Sequence, residues 1–90
     1  MSYAPVFVPE ARAAWAQLDV WLQELVLDEV ERVAADPHRM RQLSNLPGFT
    51  REVVEQQAGT THYVFLVVDV DHVARQLIIQ QVGHVQRPTP

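Results

Sequence analysis

The spacing of hydrophobic positions changes once along the chain, from a helical period to a strand period. In the first third, apolar residues recur at i, i+3, i+4 and i+7, as on one face of an amphipathic helix. These positions are Ala11, Ala14, Trp15, Leu18 and Leu22, followed by Leu25, Val26, Val30 and Val33. The pattern predicts a helical region from Pro9 to Ala35.

Local signals define the ends of this region. Pro9 suits the first helical turn, where its missing N–H costs nothing. Asp19 could cap a second helix, but no Gly or Pro marks that point. A single helix and a pair of helices therefore both remain open. Asp36 precedes a proline and ends the region, because a residue before proline avoids the α conformation.

The rest of the chain predicts a loop and then strands. Pro37 to Gly48 is expected to be a loop that holds Met40, Leu43 and Leu46 against the core. The predicted strands are Ala4–Val8 at an edge, Phe49–Gln57, Thr61–Val70 and Val73–Val82. Tight turns join the last three, so we expect them to pair antiparallel. The tail from Gln86 to Pro90 is expected to fray.

These elements predict one α+β domain over residues 1–90. It would have an antiparallel sheet of three to four strands, with the N-terminal helix pair on one face. Arg75 would then alternate with Leu77 and Ile79 on the last strand. The predicted core comprises Trp15, Leu18, Leu22, Val30, Phe65, Val67 and Ile79.

Composition narrows the functional classes. A chain that is 48% hydrophobic and 20% charged is typical of a globular domain. The absence of cysteine excludes disulfides and thiolate chemistry. The net charge of −4, with seven arginines as the only strong cations, argues against non-specific nucleic-acid binding. No signal peptide or apolar run long enough to span a membrane is present, so we expect a cytoplasmic protein without a membrane partner.

An ordered set of motifs resembles the RelE/ParE toxins of bacterial type II toxin–antitoxin systems. Ala11, Trp15 and Leu18 are placed as in the family's first helix, and Asp36-Pro37 as at the end of its second. Leu46-Pro47-Gly48 resembles the loop before its second strand. The segment Tyr63–Asp69 resembles the family's Y-R-x-x-Y-x-V-x-D strand, and Ile79–His84 resembles its closing I-x-x-V/I-G-H/K element.

The resemblance implies a toxin that is neutralised by a cognate antitoxin. RelE-like members cleave messenger RNA on the ribosome without a metal, whereas ParE-like members inhibit DNA gyrase. Such cleavage uses cationic side chains around the phosphate and an acid that protonates the leaving oxygen. We expect these groups on the open face of the sheet, and we expect no cofactor.

Four residues are candidates for this chemistry. Arg51 is placed where the family has a basic residue on its second strand, although it could equally be a solvated strand arginine. His62 and His84 could act as acid or base near neutral pH. Gly83 would permit an unusual backbone angle that aims His84. Arg87 could replace the family's catalytic arginine, whose position holds Val85.

Other features of the sequence favour different functions. A further basic residue of the family is replaced by Val53, which weakens the nuclease hypothesis. His62 could simply be a surface residue at the start of a strand. The four histidines lack metal-ligand spacing. The alternatives are a catalytically silent module of the same fold that only binds a protein, and an unrelated small interaction domain.

Overall fold

The computed structural model describes residues 3–36 and 49–90. Along the chain the elements are β1 (Ala4–Phe7), α1 (Pro9–Ala16), α2 (Val20–Ala34), β2 (Phe49–Gln57), β3 (Thr60–Asp71) and β4 (Gln76–Pro88). The predicted α+β class is confirmed. The predicted loop, with Met40, Leu43, Leu46 and the Leu46-Pro47-Gly48 motif, lies outside the described residues.

The helical region consists of two helices that separate just before Asp19. Asp19 occupies the N-cap position of α2, but its side chain makes no capping hydrogen bond. Gln23 links the two helices instead. Its side-chain amide donates to the carbonyl oxygens of Trp15 and Ala16, each at 3.2 Å, and the Trp15 indole donates to the Gln23 carbonyl oxygen. The bond to Ala16 satisfies a carbonyl at the end of α1, and the Trp15 carbonyl accepts from the backbone N–H of Leu18 as well.

The sheet has the strand order β1-β4-β3-β2. Strands β2, β3 and β4 form the predicted antiparallel meander. Strand β1 pairs with β4 and runs parallel to it. The antiparallel pairing was predicted from tight turns between the last three strands, and no such turn joins β1 to β4. A parallel pair requires a long crossover connection, which the intervening helices and strands provide.

Both helices lie on the same side of the sheet, which we call the covered face. Alternate residues of β3 point to this face and are buried, namely Val64, Leu66 and Val68. With them lie Leu77 and Ile79 of β4, and Ala11, Leu22, Val26, Val30, Val33 and Ala34 of the helices. The register places Arg51, Val53, Glu55, His62 and His84 on the covered face too.

The opposite, open face carries the other residues of each strand. Strand alternation assigns to it Glu52, Val54, Tyr63, Phe65, Val67, Val85 and Arg87. The prediction of Phe65 as core was therefore wrong, since its side chain is 40% exposed. Val67 is half-buried. Both faces of β3 are apolar, so the sequence pattern did not decide which face lies under the helices.

The remaining core predictions are confirmed in full or in part. Leu22, Val30 and Ile79 are buried, whereas Trp15 and Leu18 are half-buried and pack against the core.

The last hairpin differs from the prediction at both ends. The Asp71 carboxylate accepts hydrogen bonds from the backbone N–H groups of Val73 and Ala74, which moves the turn beyond Asp71. Arg75 therefore lies in the turn with a positive φ of 54°, not on the face of a strand. Strand β4 extends to Pro88 and pairs along its length with β3. The expectation of a frayed tail was wrong for residues 86–88.

Substitutions at adjacent positions of β3 test the assignment of faces. Leu66→Ala should lower the free energy of unfolding by about 2–5 kcal/mol, because it leaves a cavity under the helices. Phe65→Ala should cost about 1 kcal/mol or less, since it removes a partly exposed ring. Urea denaturation of both variants measures the difference. A larger loss for Phe65→Ala would mean that the faces are reversed.

Candidate functional site

Two of the predicted site residues, His62 and His84, are in direct contact. His62 lies on β3 and His84 on β4, both on the covered face. The partner of His62 in the register is Gln86, two residues along β4 from His84. The Nδ1 of His62 is 3.0 Å from the Nε2 of His84, and the rings stack with an interplanar angle of 11°. A hydrogen bond between two imidazoles requires that one nitrogen donates and the other accepts.

The two histidines differ in their access to solvent. His62 is only 7% exposed, and the Trp21 ring in the first turn of α2 meets it edge to face at 5.0 Å. His84 is exposed. A surface imidazole backed by a buried one can pass a proton between solvent and the interior, and histidine is suited to this exchange near neutral pH.

Gly83 does not have the role that the sequence suggested. Its φ is not in the left-handed region, and it lies within the extended strand β4. The direction of His84 follows from strand alternation and from its bond to His62. A glycine-specific backbone angle is not involved.

Arg51 is held in an ion pair beneath the helices. Both its Nε, at 3.1 Å, and its Nη2 donate to Oε1 of Glu29 on α2. Glu29 is buried, and its Oε2 also forms an ion pair with Nη1 of the exposed Arg32, at 3.2 Å. The pair joins β2 to α2. Glu29 occupies the Nε and Nη2 donors of Arg51, so these two groups are not free to bind an outside ligand.

The four predicted site residues occupy three separate places. Arg51 pairs in register with Leu66, four residues along β3 from His62, which corresponds to about 13 Å of strand. Arg87 lies opposite Thr61 on the open face. The expectation that all four share the open face was wrong for Arg51, His62 and His84, since each has the strand parity of the buried Val64.

Sequence reasoning missed Glu29 and Trp21. A signal for Glu29 was present, because Val26, Glu29 and Val33 follow the 3–4 spacing of the buried stripe of α2. A carboxylate at such a position needs a cationic partner, and Arg51 provides it. The contact between Trp21 and His62 had no comparable signal, since it depends on how the helix crosses the sheet.

No metal-ligand cluster and no membrane-spanning helix is found among the described residues. Within residues 3–36 and 49–90, no three histidine or acidic side chains converge as metal ligands would. None of the described helices is long and apolar enough to cross a membrane.

Comparison with solved structures identifies the fold. The E. coli toxin RelE, in a double-mutant free form, superposes with a TM-score of 0.67 at 17% identity, covering 92% of this chain and 83% of that one. The E. coli RelBE toxin–antitoxin complex gives 0.63 at 20%, covering 96% and 100%. A RelBE complex from Mycobacterium tuberculosis gives 0.61 at 19%, covering 94% and 93%.

Sequence comparison adds no relative. No family model matches the chain, and no curated protein matches it. The structural likeness extends over nearly the whole chain, and it defines an α+β fold of the RelE-toxin type. The fold expected from the resemblance is thereby confirmed.

A double-mutant cycle tests the structural role of Arg51. For Glu29→Gln and Arg51→Gln, we expect a coupling of about 1–3 kcal/mol in urea unfolding, because the pair is largely shielded from water. The matched cycle with Arg32→Gln should give less than about 0.5 kcal/mol, since the Arg32 side chain is 74% exposed. Equal couplings for the two arginines would contradict this role.

Proposed function

We propose that this chain is the toxin component of a type II toxin–antitoxin pair and that a cognate antitoxin neutralises it. The likeness in fold to RelE over more than nine tenths of this chain carries the proposal. Two of the structures described above are complexes of such a toxin with its antitoxin. We infer a cytoplasmic location from the targets of such toxins, which are the ribosome and DNA gyrase.

The small size of the chain supports a protein partner. A chain of 90 residues can bury only a modest core. A partner that binds the folded form stabilises it by mass action, so an antitoxin would both silence this protein and stabilise it.

Among toxin activities, the contact between His62 and His84 favours cleavage of ribosome-bound messenger RNA. In this reaction the 2′-oxygen attacks the adjacent phosphorus, and the bond from phosphorus to the 5′-oxygen breaks. A base removes the 2′-hydroxyl proton, and an acid protonates the departing 5′-oxygen. The exposed His84 is the group that would exchange a proton with RNA. His62 would hold the His84 ring and relay the proton.

The charge distribution predicts that this cleavage is slow. Stabilising the negative charge of the phosphorane is usually the largest catalytic contribution, at about 3–4 kcal/mol for one donor. Arg51 is engaged by Glu29, and Arg87 lies on the opposite face of the sheet from the histidines. The overall charge of −4 further disfavours RNA. RNA cleavage by this protein would depend on contacts that the ribosome supplies.

Gyrase inhibition is the second candidate, and the engagement of Arg51 favours it. An inhibitor of gyrase needs a protein-binding surface and no cationic phosphate site. A catalytically silent module of the same fold would have the same requirement. These alternatives differ from the nuclease because neither requires His62 or His84 for its activity.

Induced expression in a bacterial host tests the proposed chemistry. We expect the wild type to slow growth and to cleave ribosome-bound messenger RNA, as mapped by primer extension. His84→Ala should reduce the cleavage rate by at least about 10²-fold, the usual contribution of a proton-transfer group. Gln81→Ala changes an exposed residue of the same strand and should leave the rate unchanged.

The other outcomes separate the alternatives. Growth arrest that persists in His84→Ala, with loss of gyrase supercoiling in vitro, would replace the nuclease with a gyrase inhibitor. A wild type that does not arrest growth would support the catalytically silent module. Circular dichroism of His84→Ala controls for unfolding.

The antitoxin proposal has its own test. Co-expression of the short reading frame adjacent to this gene should restore growth and co-purify as a stoichiometric complex. The complex should have a higher midpoint of thermal unfolding than the toxin alone, because the partner binds only the folded form. Purification of the chain without its genetic neighbour, at an unchanged midpoint, would contradict the proposal.

A further inference from the structure

The open face carries a block of nine residues on three adjacent strands. The register aligns them in three rows across β2, β3 and β4. The first row is Glu52, Phe65 and Gly83; the second is Val54, Tyr63 and Val85; the third is Gln56, Thr61 and Arg87. Tyr63 lies at the centre, Thr61 is buried between its neighbours, and we call these nine residues the open-face block.

The middle of the open-face block is apolar and accessible. Val54 is 51% exposed, Phe65 40% and Val85 42%. A depression of about 270 Å³ lies among Glu52, Tyr63, Phe65, Val85 and Arg87. Single exposed apolar residues are ordinary, but a contiguous group rimmed by polar residues marks an interaction surface.

The two charges of the block lie at opposite corners. Glu52 is in the first row on β2, and Arg87 is in the third row on β4. Strand spacing and rise place their backbones about 16 Å apart, with Tyr63 midway. Both side chains are exposed, and neither forms an ion pair within the described residues. The patch therefore has a negative and a positive end.

We propose that the open-face block binds a second copy of this chain around a two-fold axis. A surface with one negative and one positive corner about a central point is self-complementary, as a two-fold interface requires. If the axis lies between the two sheets and crosses the line from Glu52 to Arg87 at Tyr63, each Glu52 faces the other copy's Arg87. Phe65 then faces the other copy's Val85.

The crossing angle and Gly83 both suit this arrangement. The axis makes the strands of the two sheets cross at close to a right angle, which is one of the two common sheet packings. Gly83 has no positive φ, and a Cβ built on it meets nothing within 4 Å. The fold of one copy therefore does not need a glycine there. The missing side chain leaves room beside Phe65 for the second copy.

The size of the block indicates a weak dimer. Three strands and five residues span about 14 by 17 Å, well below the roughly 800 Å² per partner of a standard interface. We expect weak association and a monomer at low concentration. The block has one cation and one anion in a chain of net charge −4, which favours a protein occupant over RNA.

Charge reversal tests the proposal in the full chain. Sedimentation equilibrium from about 5 to 500 μM should show a monomer–dimer equilibrium for the wild type. Glu52→Arg and Arg87→Glu should each weaken dimerisation at least about tenfold, because like charges then face each other. The double variant with both changes should recover the wild-type constant. A concentration-independent monomer, or a double variant as weak as the single ones, overturns the proposal.

A second variant separates docking from folding. Gly83→Thr should keep or raise the midpoint of urea unfolding at low concentration, because β-branched residues suit strands. It should nevertheless weaken dimerisation at least about tenfold by filling the space that the second copy needs. Gly83→Thr with unchanged dimerisation would mean that another surface forms the dimer. Saturable binding of a single-stranded RNA oligomer that competes with dimerisation would reassign the block to RNA.

Discussion

The burial of alternate residues of β3 under α2 is the constraint on which the other placements depend. Val64, Leu66 and Val68 fill the space between sheet and helix, and a shift of one residue would move all three to solvent. Strand alternation then fixes every neighbour. His62 is carried beneath the first turn of α2, and Tyr63 and Phe65 are carried to the open face. The positions of the two histidines and of the open-face block therefore both follow from which face of β3 is buried.

The same constraint explains why cations are scarce near the histidines. Arg51 has the parity of the buried strand residues, so its guanidinium needs a partner under the helix, and Glu29 provides one. An unpaired charge at this position would be costly. The pair joins α2 to β2, and the donors of Arg51 that bind Glu29 are then not available to bind a phosphate. The protein thus combines a RelE-type fold with two histidines in contact and no free arginine beside them among the described residues, which is the basis for expecting slow cleavage in the proposed nuclease.

The sequence predicted the elements well and their orientation less well. Hydrophobic period and turn residues were enough for a helical region and a meander, because these signals are local, but they left open whether the region holds one helix or two. The local sequence did not show which face of β3 is buried, because Val64 and Phe65 suit burial equally. The motif at Ile79–His84 led to His84, but the contact with His62 required the register between β3 and β4. Glu29 was overlooked although a carboxylate within an apolar stripe signals a buried ion pair.

The most direct test is whether His62 and His84 form one site beneath α2. Nuclear magnetic resonance of the histidine side chains measures this. We expect nuclear Overhauser contacts between the His62 ring and the Trp21 indole, whose centroids are 5.0 Å apart. We also expect a hydrogen bond between Nδ1 of His62 and Nε2 of His84, visible in their nitrogen shifts. Contacts from the His62 ring to Phe65 or Arg87, with none to Trp21, would contradict it.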